Sequence, residues 1–187
     1  IIGGYIMGET VVSTLSVSEM LVENARQLIP KLREATLEID KNSQIPDEII
    51  QEMREKGLLK VLRPKIFGGH ETSMQNYFDV VTEISRGNPS AGWFTALSNI
   101  RDYMISYVYG EKALAEIFGP NRDNDVILAG NFKPIRIDIE KVDGGYFIKD
   151  AQWPFVSGAP YADWFYCGAP VDDGNGGLAD KILGLIV

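Results

Sequence analysis

At 187 residues, with 45% apolar and 24% charged side chains, the chain is long enough to bury one good hydrophobic core. The formal net charge is −8, and the lysines and arginines form no cluster, which argues against binding to nucleic acid or to an anionic membrane. A single cysteine, Cys167, excludes an internal disulfide and is expected to be a buried strand thiol without a catalytic role.

The first residues lack the basic start and long apolar run of a signal peptide, and no stretch of the sequence approaches the length of a membrane span. We therefore expect a cytoplasmic protein. Residues 1–17 are expected to form a flexible leader.

The N-terminal half predicts helices. Ser18 is expected to cap a first helix that continues past a kink at Pro30. A second helix begins with Pro46 in its first turn and stops at Gly57. A third runs over about 74–85, and residues 18–120 are expected to form one all-helical domain.

Pro89 starts a fourth helix that is expected to be mostly buried. Its apolar positions fall at intervals of three and four residues: Trp93, Leu97, Ile100 and Met104. A shorter helix follows over 111–118 and ends at a Gly-Pro pair.

After Asp125 the pattern changes to strands. Six are predicted, at 126–129, 135–142, 146–148, 153–156, 162–169 and 182–187. Ile135, Ile137 and Ile139 alternate with charged residues, as in a half-solvated antiparallel sheet. Helices first and strands second predict an α+β protein, with an antiparallel β domain over 121–187.

The 172–177 segment is expected to be a polar hairpin turn, because the acidic spacing and the terminal glutamate of a calcium loop are absent. Gly144 and Gly145 predict a second hairpin turn. The strand after it ends at Phe155, Ser157 and Gly158, where an aromatic ring and a hydroxyl two residues apart would face the same side and suit a planar ligand. The alternative is an ordinary strand with an aromatic on its core face and a Ser-Gly end.

Several common chemistries are excluded by residue type. His70 is the only histidine and no Gly-x-Ser-x-Gly elbow occurs, so triad hydrolysis is improbable. One histidine and one cysteine cannot make a zinc site, and no metal is expected. The two Gly-Gly pairs lack the lysine and the following helix of a phosphate-binding loop.

The order of five motifs is more specific. They are Ile45-Pro-Asp-Glu-Ile-Ile50, Lys56-Gly-Leu-Leu59, Arg63-Pro-Lys-Ile-Phe-Gly-Gly-His-Glu-Thr-Ser73, Asn88-Pro-Ser-Ala-Gly-Trp93 and Phe155-Val-Ser-Gly158. This order resembles the acyl-CoA dehydrogenase superfamily and, within it, the reduced-flavin-dependent monooxygenases related to the oxygenase component of 4-hydroxyphenylacetate hydroxylase. The monooxygenase branch is favoured because Leu128-Ala-Gly-Asn-Phe-Lys-Pro134 stands where acyl-CoA enzymes have Glu-Pro-x-x-Gly-Ser-Asp. Trp153-Pro-Phe-Val-Ser-Gly158 likewise replaces their Lys-x-Trp-Ile-Thr-Asn pattern.

The resemblance implies reduced FMN or FAD as cofactor, a separate flavin reductase as partner, and hydroxylation of a small aromatic substrate through a flavin C4a-hydroperoxide. It implies that Ser157 is catalytic and hydrogen-bonds the flavin near its reactive edge. Phe155 and Gly158 would lie against the ring, and Asn131 would lie near it.

By the same resemblance, Trp93 lines the pocket for flavin and substrate, and Arg101 on the same helix binds substrate. From residue type alone, Trp93 could be plain core, Arg101 a surface ion pair and Asn131 a turn residue at the end of a strand.

Members of the superfamily continue into a C-terminal four-helix bundle that makes a tetramer, and this chain is expected to stop before it. Two alternatives therefore stay open beside the monooxygenase: an acyl-CoA dehydrogenase-like oxidoreductase, and a non-catalytic fragment that self-associates through exposed apolar faces.

Overall fold

The computed structural model describes residues 15–119, 126–172 and 178–181. Six helices lie in this part of the chain: α1 Val17–Glu34, α2 Thr36–Asn42, α3 Asp47–Glu55, α4 Met74–Gly87, α5 Pro89–Val108 and α6 Glu111–Ile117. Six strands follow them: β1 Leu128–Asn131, β2 Arg136–Val142, β3 Gly145–Gln152, β4 Trp164–Cys167, β5 Ala169–Asp172 and β6 Leu178–Lys181. The predicted α+β arrangement is confirmed.

Helix α1 begins two residues earlier than the sequence predicted. Ser16, not Ser18, is the cap: its hydroxyl accepts from the Glu19 amide at 3.3 Å, and the Glu19 carboxylate accepts from the Ser16 amide at 2.9 Å. This reciprocal pair satisfies two amides that would otherwise lack partners. Ser18 could not form such a pair, because no glutamate or glutamine lies three residues after it. Most of the predicted leader, residues 1–14, lies outside the described residues.

Pro30, where the sequence predicts a kink, lies inside the first helix and does not end it. Helix α1 runs through Pro30 to Glu34, and α2 starts at Thr36. Leu28 and Leu32 on either side of the proline are fully buried, so packing holds the turn that the proline weakens.

The predicted second and third helices are confirmed. Pro46 precedes α3, and Gly57 follows it with φ +71°, a conformation that favours glycine. Ser73 caps α4 by accepting from the Asn76 amide at 3.2 Å.

Helices α1, α3, α4 and α5 enclose the main core. Its fully buried members include Leu21, Leu28, Leu32, Met53, Leu58, Val80 and Ile84. At its edge, Glu83 of α4 accepts from Arg26 of α1 at 3.1 Å and from Arg86 at 2.6 Å. Burial raises the pKa of the Glu83 carboxyl, but hydrogen bonds and charge from the two arginines outweigh it and leave that pKa below its ordinary value.

Helix α5 only partly buries the apolar face that the sequence predicted, since Leu97, Ile100 and Met104 are half-buried. Trp93 is 60% exposed, whereas the polar side chains of Thr95, Ser98, Asn99 and Asp102 are buried. Thr95 and Ser98 donate to carbonyls one turn back, and the Asn99 side chain accepts from the Val61 amide at 2.6 Å and donates to the Leu58 carbonyl at 2.9 Å. Asn99 thus supplies hydrogen-bond partners to the loop after α3, and Thr95 and Ser98 are satisfied within the helix, so these polar side chains can face inward.

The strands form three two-stranded pairs. Strands β2 and β3 form the predicted hairpin, with a bulge between Asp138 and Ile139. Strands β5 and β6 pair antiparallel. Of the turn predicted at 172–177, Asp172 is the last residue of β5, and residues 173–177 lie outside the described residues. The strand predicted at 182–187 also lies there.

The pairing of β1 with β4 is parallel, against the prediction of a purely antiparallel domain. The chain leaves β1, makes the β2–β3 hairpin and returns to place Trp164 beside Leu128, so the two strands run the same way. Ile127 fixes this return, since its amide donates to the Asp163 carboxylate at 2.8 Å and its carbonyl accepts from the Asp163 amide at 2.9 Å.

Residues 153–156 are not a strand, which corrects the prediction. Pro154 cannot donate to a ladder, and its carbonyl instead accepts from the Asn131 side chain at 2.6 Å. The indole of Trp153 donates to the Gly168 carbonyl at 2.8 Å. Phe155 has φ +54° and lies outside any β region, so the expected alternation of Phe155 and Ser157 along one strand is wrong.

Candidate functional site

The predicted functional end of the β region is a turn packed against α5. Ser157 and Gly158 form this turn, and a short 3₁₀ helix, Ala159–Tyr161, follows it. Gly158 has φ +86°, and a Cβ atom placed there would lie 3.0 Å from the Phe94 ring on α5. Glycine is therefore required both by the backbone conformation and by the close approach of the turn to the helix.

Trp93 and Ser157 are brought together. The Trp93 indole N–H donates to the Ser157 hydroxyl oxygen at 3.3 Å. Because that oxygen accepts from the indole, the hydroxyl proton is left to donate to another acceptor. Trp93 is not plain core, and its exposed ring lies beside this hydroxyl.

Arg101 reaches the same turn from two helical turns further along α5. It is only 3% exposed, so it is not a surface ion pair. One Nη donates to the Ser157 carbonyl at 2.7 Å and to the Leu128 carbonyl at 3.2 Å, and Nε donates to the Tyr166 hydroxyl at 3.1 Å. The guanidinium also lies 5.8 Å from the centroid of the Tyr166 ring.

Asn131, at the end of β1, uses its side chain within the chain itself. Besides the bond to Pro154, its side-chain oxygen accepts from the Lys133 amide at 3.1 Å. This is the geometry of a strand-end turn residue, and it positions the segment that carries Phe155.

Phe155 is 90% exposed, the highest fraction among the large apolar side chains of the described residues. Its backbone lies in the left-handed region, which is unfavourable for a bulky residue, so the surrounding structure imposes this conformation. A ring held in the open next to the Ser157 turn is available to cover a bound planar group.

A cleft of about 520 Å³ opens beside these residues. Trp93, Ser157 and Gly158 line one side, and residues from the end of α2 and the loop before α3 line the other: Ile39, Asp40, Ser43, Gln44 and Ile45. Asp40 is the one charged side chain among its lining residues in the described part of the chain.

Tyr161 closes the end of the cleft and was not predicted. Its hydroxyl accepts from the Ile45 amide at 2.6 Å and donates to the Ile45 carbonyl at 2.8 Å, and its ring meets Phe94 edge-on at 5.4 Å. Burial raises the pKa of Tyr161. No local pattern marks this residue in the sequence, since its partner lies 116 positions away.

Cys167 lies in β4, as predicted, and is half-buried, which raises the pKa of its thiol. In the ranges 15–119, 126–172 and 178–181, no group of three or more His, Cys, Asp or Glu side chains is arranged to hold a metal ion. None of the helices described here is both long enough and apolar enough to span a lipid bilayer.

Residues 17–120 match the family model of the acyl-CoA dehydrogenase N-terminal domain, and the chain therefore belongs to the acyl-CoA dehydrogenase family. Among its curated relatives is the oxygenase subunit HsaA of a flavin-dependent monooxygenase from Rhodococcus jostii. HsaA is 28% identical over 144 residues, which are 77% of this chain and 36% of the relative. The oxygenase component of an FADH2-dependent resorcinol hydroxylase from a Rhizobium species is 26% identical over 137 residues, 73% of this chain and 32% of the relative.

A solved structure of XiaF from a Streptomyces species, in complex with FADH2 and glycerol, has the same fold. Its TM-score is 0.74 at 23% identity, over 87% of this chain and 40% of XiaF. The predicted resemblance to the monooxygenase branch is confirmed by these relatives. The chain spans about a third of the length of the curated relatives it matches.

Proposed function

We propose that the protein is the oxygenase component of a two-component flavin-dependent monooxygenase that uses reduced FAD or FMN and O2 to hydroxylate a small aromatic substrate. The observation that carries this proposal is the Ser157 hydroxyl, held at the rim of the cleft by the Trp93 indole and left with a proton to donate. The names of the HsaA and resorcinol hydroxylase relatives support the reaction class.

The residues present fit a flavin. A tricyclic ring needs a broad apolar contact. The exposed ring of Trp93, which lines the cleft, and that of Phe155, two residues before Ser157, offer two such faces. The ring edge carries hydrogen-bond acceptors, and Ser157 has a donor for one of them. Gly158 keeps side-chain bulk away from the turn, so a planar group can approach its backbone.

Bound reduced flavin would supply the activation of O2 and the transfer of an oxygen atom. The part of this chain is to bind and orient the ring: Ser157 donates to its edge, and Trp93 and Phe155 exclude water from its faces. The site is preorganised because Gly158 and Arg101 hold the turn in place before any ligand arrives.

An aromatic substrate is supported by the lining of the cleft. Ile39, Phe94 and Pro160 contribute apolar surface, and Ser43 and Gln44 offer polar groups that suit a phenolic hydroxyl. We further infer a separate flavin reductase as partner, a homo-oligomer as the working assembly and a cytoplasmic location, in line with the resemblance and with the single cysteine.

The test is an anaerobic titration of the protein with reduced FMN and FAD, followed by quenching of tryptophan fluorescence. We expect saturable binding that favours the reduced flavin, and product formation from phenolic substrates once air is admitted. Ser157→Ala should weaken reduced-flavin binding by roughly fivefold to tenfold, the value of one hydrogen bond. Ser106→Ala is the matched control, because that hydroxyl donates to the Asp102 carbonyl of its own helix, at 2.7 Å, and does not line the cleft.

Two results would overturn the proposal. Preference for oxidised FAD, together with bleaching by an acyl-CoA thioester, would instead identify a dehydrogenase. Absence of binding to either flavin, together with concentration-dependent association, would favour a non-catalytic module that self-associates.

A further inference from the structure

The Arg101 guanidinium has all its resolved contacts inside the protein. Its three hydrogen bonds go to the carbonyls of Ser157 and Leu128 and to the hydroxyl of Tyr166. Arg101 does not line the cleft formed by Trp93, Ser157 and Tyr161. The role in binding substrate that the resemblance implies therefore has no support in this geometry.

A buried guanidinium bound only to neutral acceptors is an unusual choice for a core position. No carboxylate pairs with Arg101 among the described residues, so its charge is compensated by carbonyl dipoles and the Tyr166 ring alone. The fork geometry of arginine is what allows one side chain to bind β1, β4 and the Ser157 turn together. Burying a neutral side chain would cost less desolvation free energy, but such a side chain could not make these three contacts.

The contact with Ser157 is the strongest of the three by distance. At 2.7 Å it is a short, charge-assisted hydrogen bond that joins the backbone of the turn to α5. The other backbone bonds of the turn are local: the amides of Ser157, Ala159 and Tyr161 donate to the carbonyls of Phe155, Val156 and Gly158. They set the shape of the turn but do not fix its position against the helix.

The same residue is therefore held at both ends by one helix. Arg101 binds the carbonyl of Ser157, and Trp93, two turns earlier, binds its hydroxyl. We infer that Arg101 is a positioning residue that fixes the Ser157 hydroxyl against Trp93, and that it does not bind substrate. Its consequence for catalysis rests on the proposed flavin function, but the positioning itself does not.

The first readout needs no flavin. In ¹H–¹⁵N NMR spectra the Trp93 indole N–H gives one of three indole signals and is assigned by its loss in Trp93→Phe. Ser157→Ala removes its acceptor, and we expect an upfield shift of the proton. Arg101→Gln should shift the same signal in the same direction, because the released turn draws the hydroxyl away.

Tyr166→Phe is the matched control. It removes another buried hydrogen bond of the same guanidinium, at 3.1 Å, but leaves the Ser157 contact and the aromatic ring in place. A purely structural role for Arg101 predicts similar effects of Arg101→Gln and Tyr166→Phe on the indole signal. The positioning role predicts an effect of Arg101→Gln alone.

The second readout is affinity for reduced FMN. Arg101→Gln should weaken binding as much as Ser157→Ala, by roughly fivefold to tenfold. The double variant should be no weaker than Ser157→Ala alone, since Arg101 acts through the hydroxyl that is then absent. Two independent losses that multiply would overturn the inference, as would an indole signal that Arg101→Gln leaves unmoved.

If Arg101→Gln does not fold, Gly158→Ala displaces the turn from the other side. The added Cβ would lie 3.0 Å from Phe94 and 3.7 Å from the Arg101 Nη. If that variant left the indole signal and the flavin affinity unchanged, the position of the turn against α5 would not determine the position of the Ser157 hydroxyl, and the inference would be refuted. Failure of the wild-type protein to bind reduced flavin would count against the proposed function only, because the indole signal still decides the role of Arg101.

Discussion

The buried ion pair between Arg63 and Asp102 allows a quantitative prediction. Both side chains are 1% exposed, and Nε lies 2.7 Å from Oδ2. Arg63 also donates to the Val126 carbonyl at 2.8 Å, and its guanidinium lies 5.2 Å from the centroid of the Phe118 ring. The pair thus joins the loop after α3 to α5 and to the start of β1.

Asp102→Asn keeps the shape of this side chain and removes its charge. At an effective dielectric constant of about 20, two unit charges about 4 Å apart attract by about 4 kcal/mol. Removing one partner of a buried pair leaves the other charge uncompensated and typically costs about 3–5 kcal/mol. We therefore expect the variant to lose about 3–5 kcal/mol of unfolding free energy, a large part of the 5–15 kcal/mol or so of an ordinary domain.

Urea unfolding followed by circular dichroism at pH 7 measures this loss. Asp150→Asn, in the exposed pair with Arg136, is the control and should leave the midpoint unchanged. The double variant Arg63→Met, Asp102→Leu should recover much of the stability, because it removes the buried charge as well as the pair. A loss below about 1 kcal/mol in Asp102→Asn, or a double variant as unstable as the sum of its single changes, would refute the reasoning.

Two further predictions concern pH and the wall of the cleft. Because the pKa of Glu83 is lowered in the folded state, its stabilisation is present above the unfolded pKa and is lost as the pH falls through the folded value. The difference in stability between wild type and Glu83→Gln should accordingly be present at pH 7, shrink as the pH falls below the unfolded pKa of about 4.3, and vanish once the pH is below the lowered folded pKa; a difference that is constant from pH 7 to pH 3 would contradict this. Tyr161→Phe removes the partner of both backbone groups of Ile45 and should cost about 1–2 kcal/mol in thermal unfolding, whereas Tyr107→Phe on an exposed face should cost nothing. Equal melting temperatures for these two variants would show that the Tyr161 contact adds no stability.

Local signals predicted most elements well. The Pro46 start and Gly57 stop of α3, the helix expected over about 74–85 and the Gly-Gly turn of the hairpin each depend on local residues, and all are confirmed. The exception among the caps is Ser16, where the glutamate that completes the reciprocal pair favours it over Ser18.

The wrong predictions share a different cause, which is partners distant in sequence. Helix α5 turns polar side chains inward because Asn99 accepts from the Val61 amide and Asp102 pairs with Arg63, both nearly 40 residues earlier in the chain. The parallel pairing of β1 with β4 depends on a return of the chain that periodicity does not encode. Ser157, which the sequence analysis placed on a strand, lies instead in a turn, and its contacts with Trp93 and Arg101 span 64 and 56 residues.

The segment between β1 and β4 carries the β2–β3 hairpin, which has a practical use. At the base of the hairpin the Ile135 amide donates to the Gln152 carbonyl at 2.7 Å. At its tip, Gly144 and Gly145 have open space around them. The seven residues of β2 place that tip about 20 Å beyond the base of the hairpin. A fluorescent dye or a short peptide tag inserted between these glycines should therefore leave the cleft undisturbed, and the hairpin becomes the natural handle for immobilising or labelling the protein.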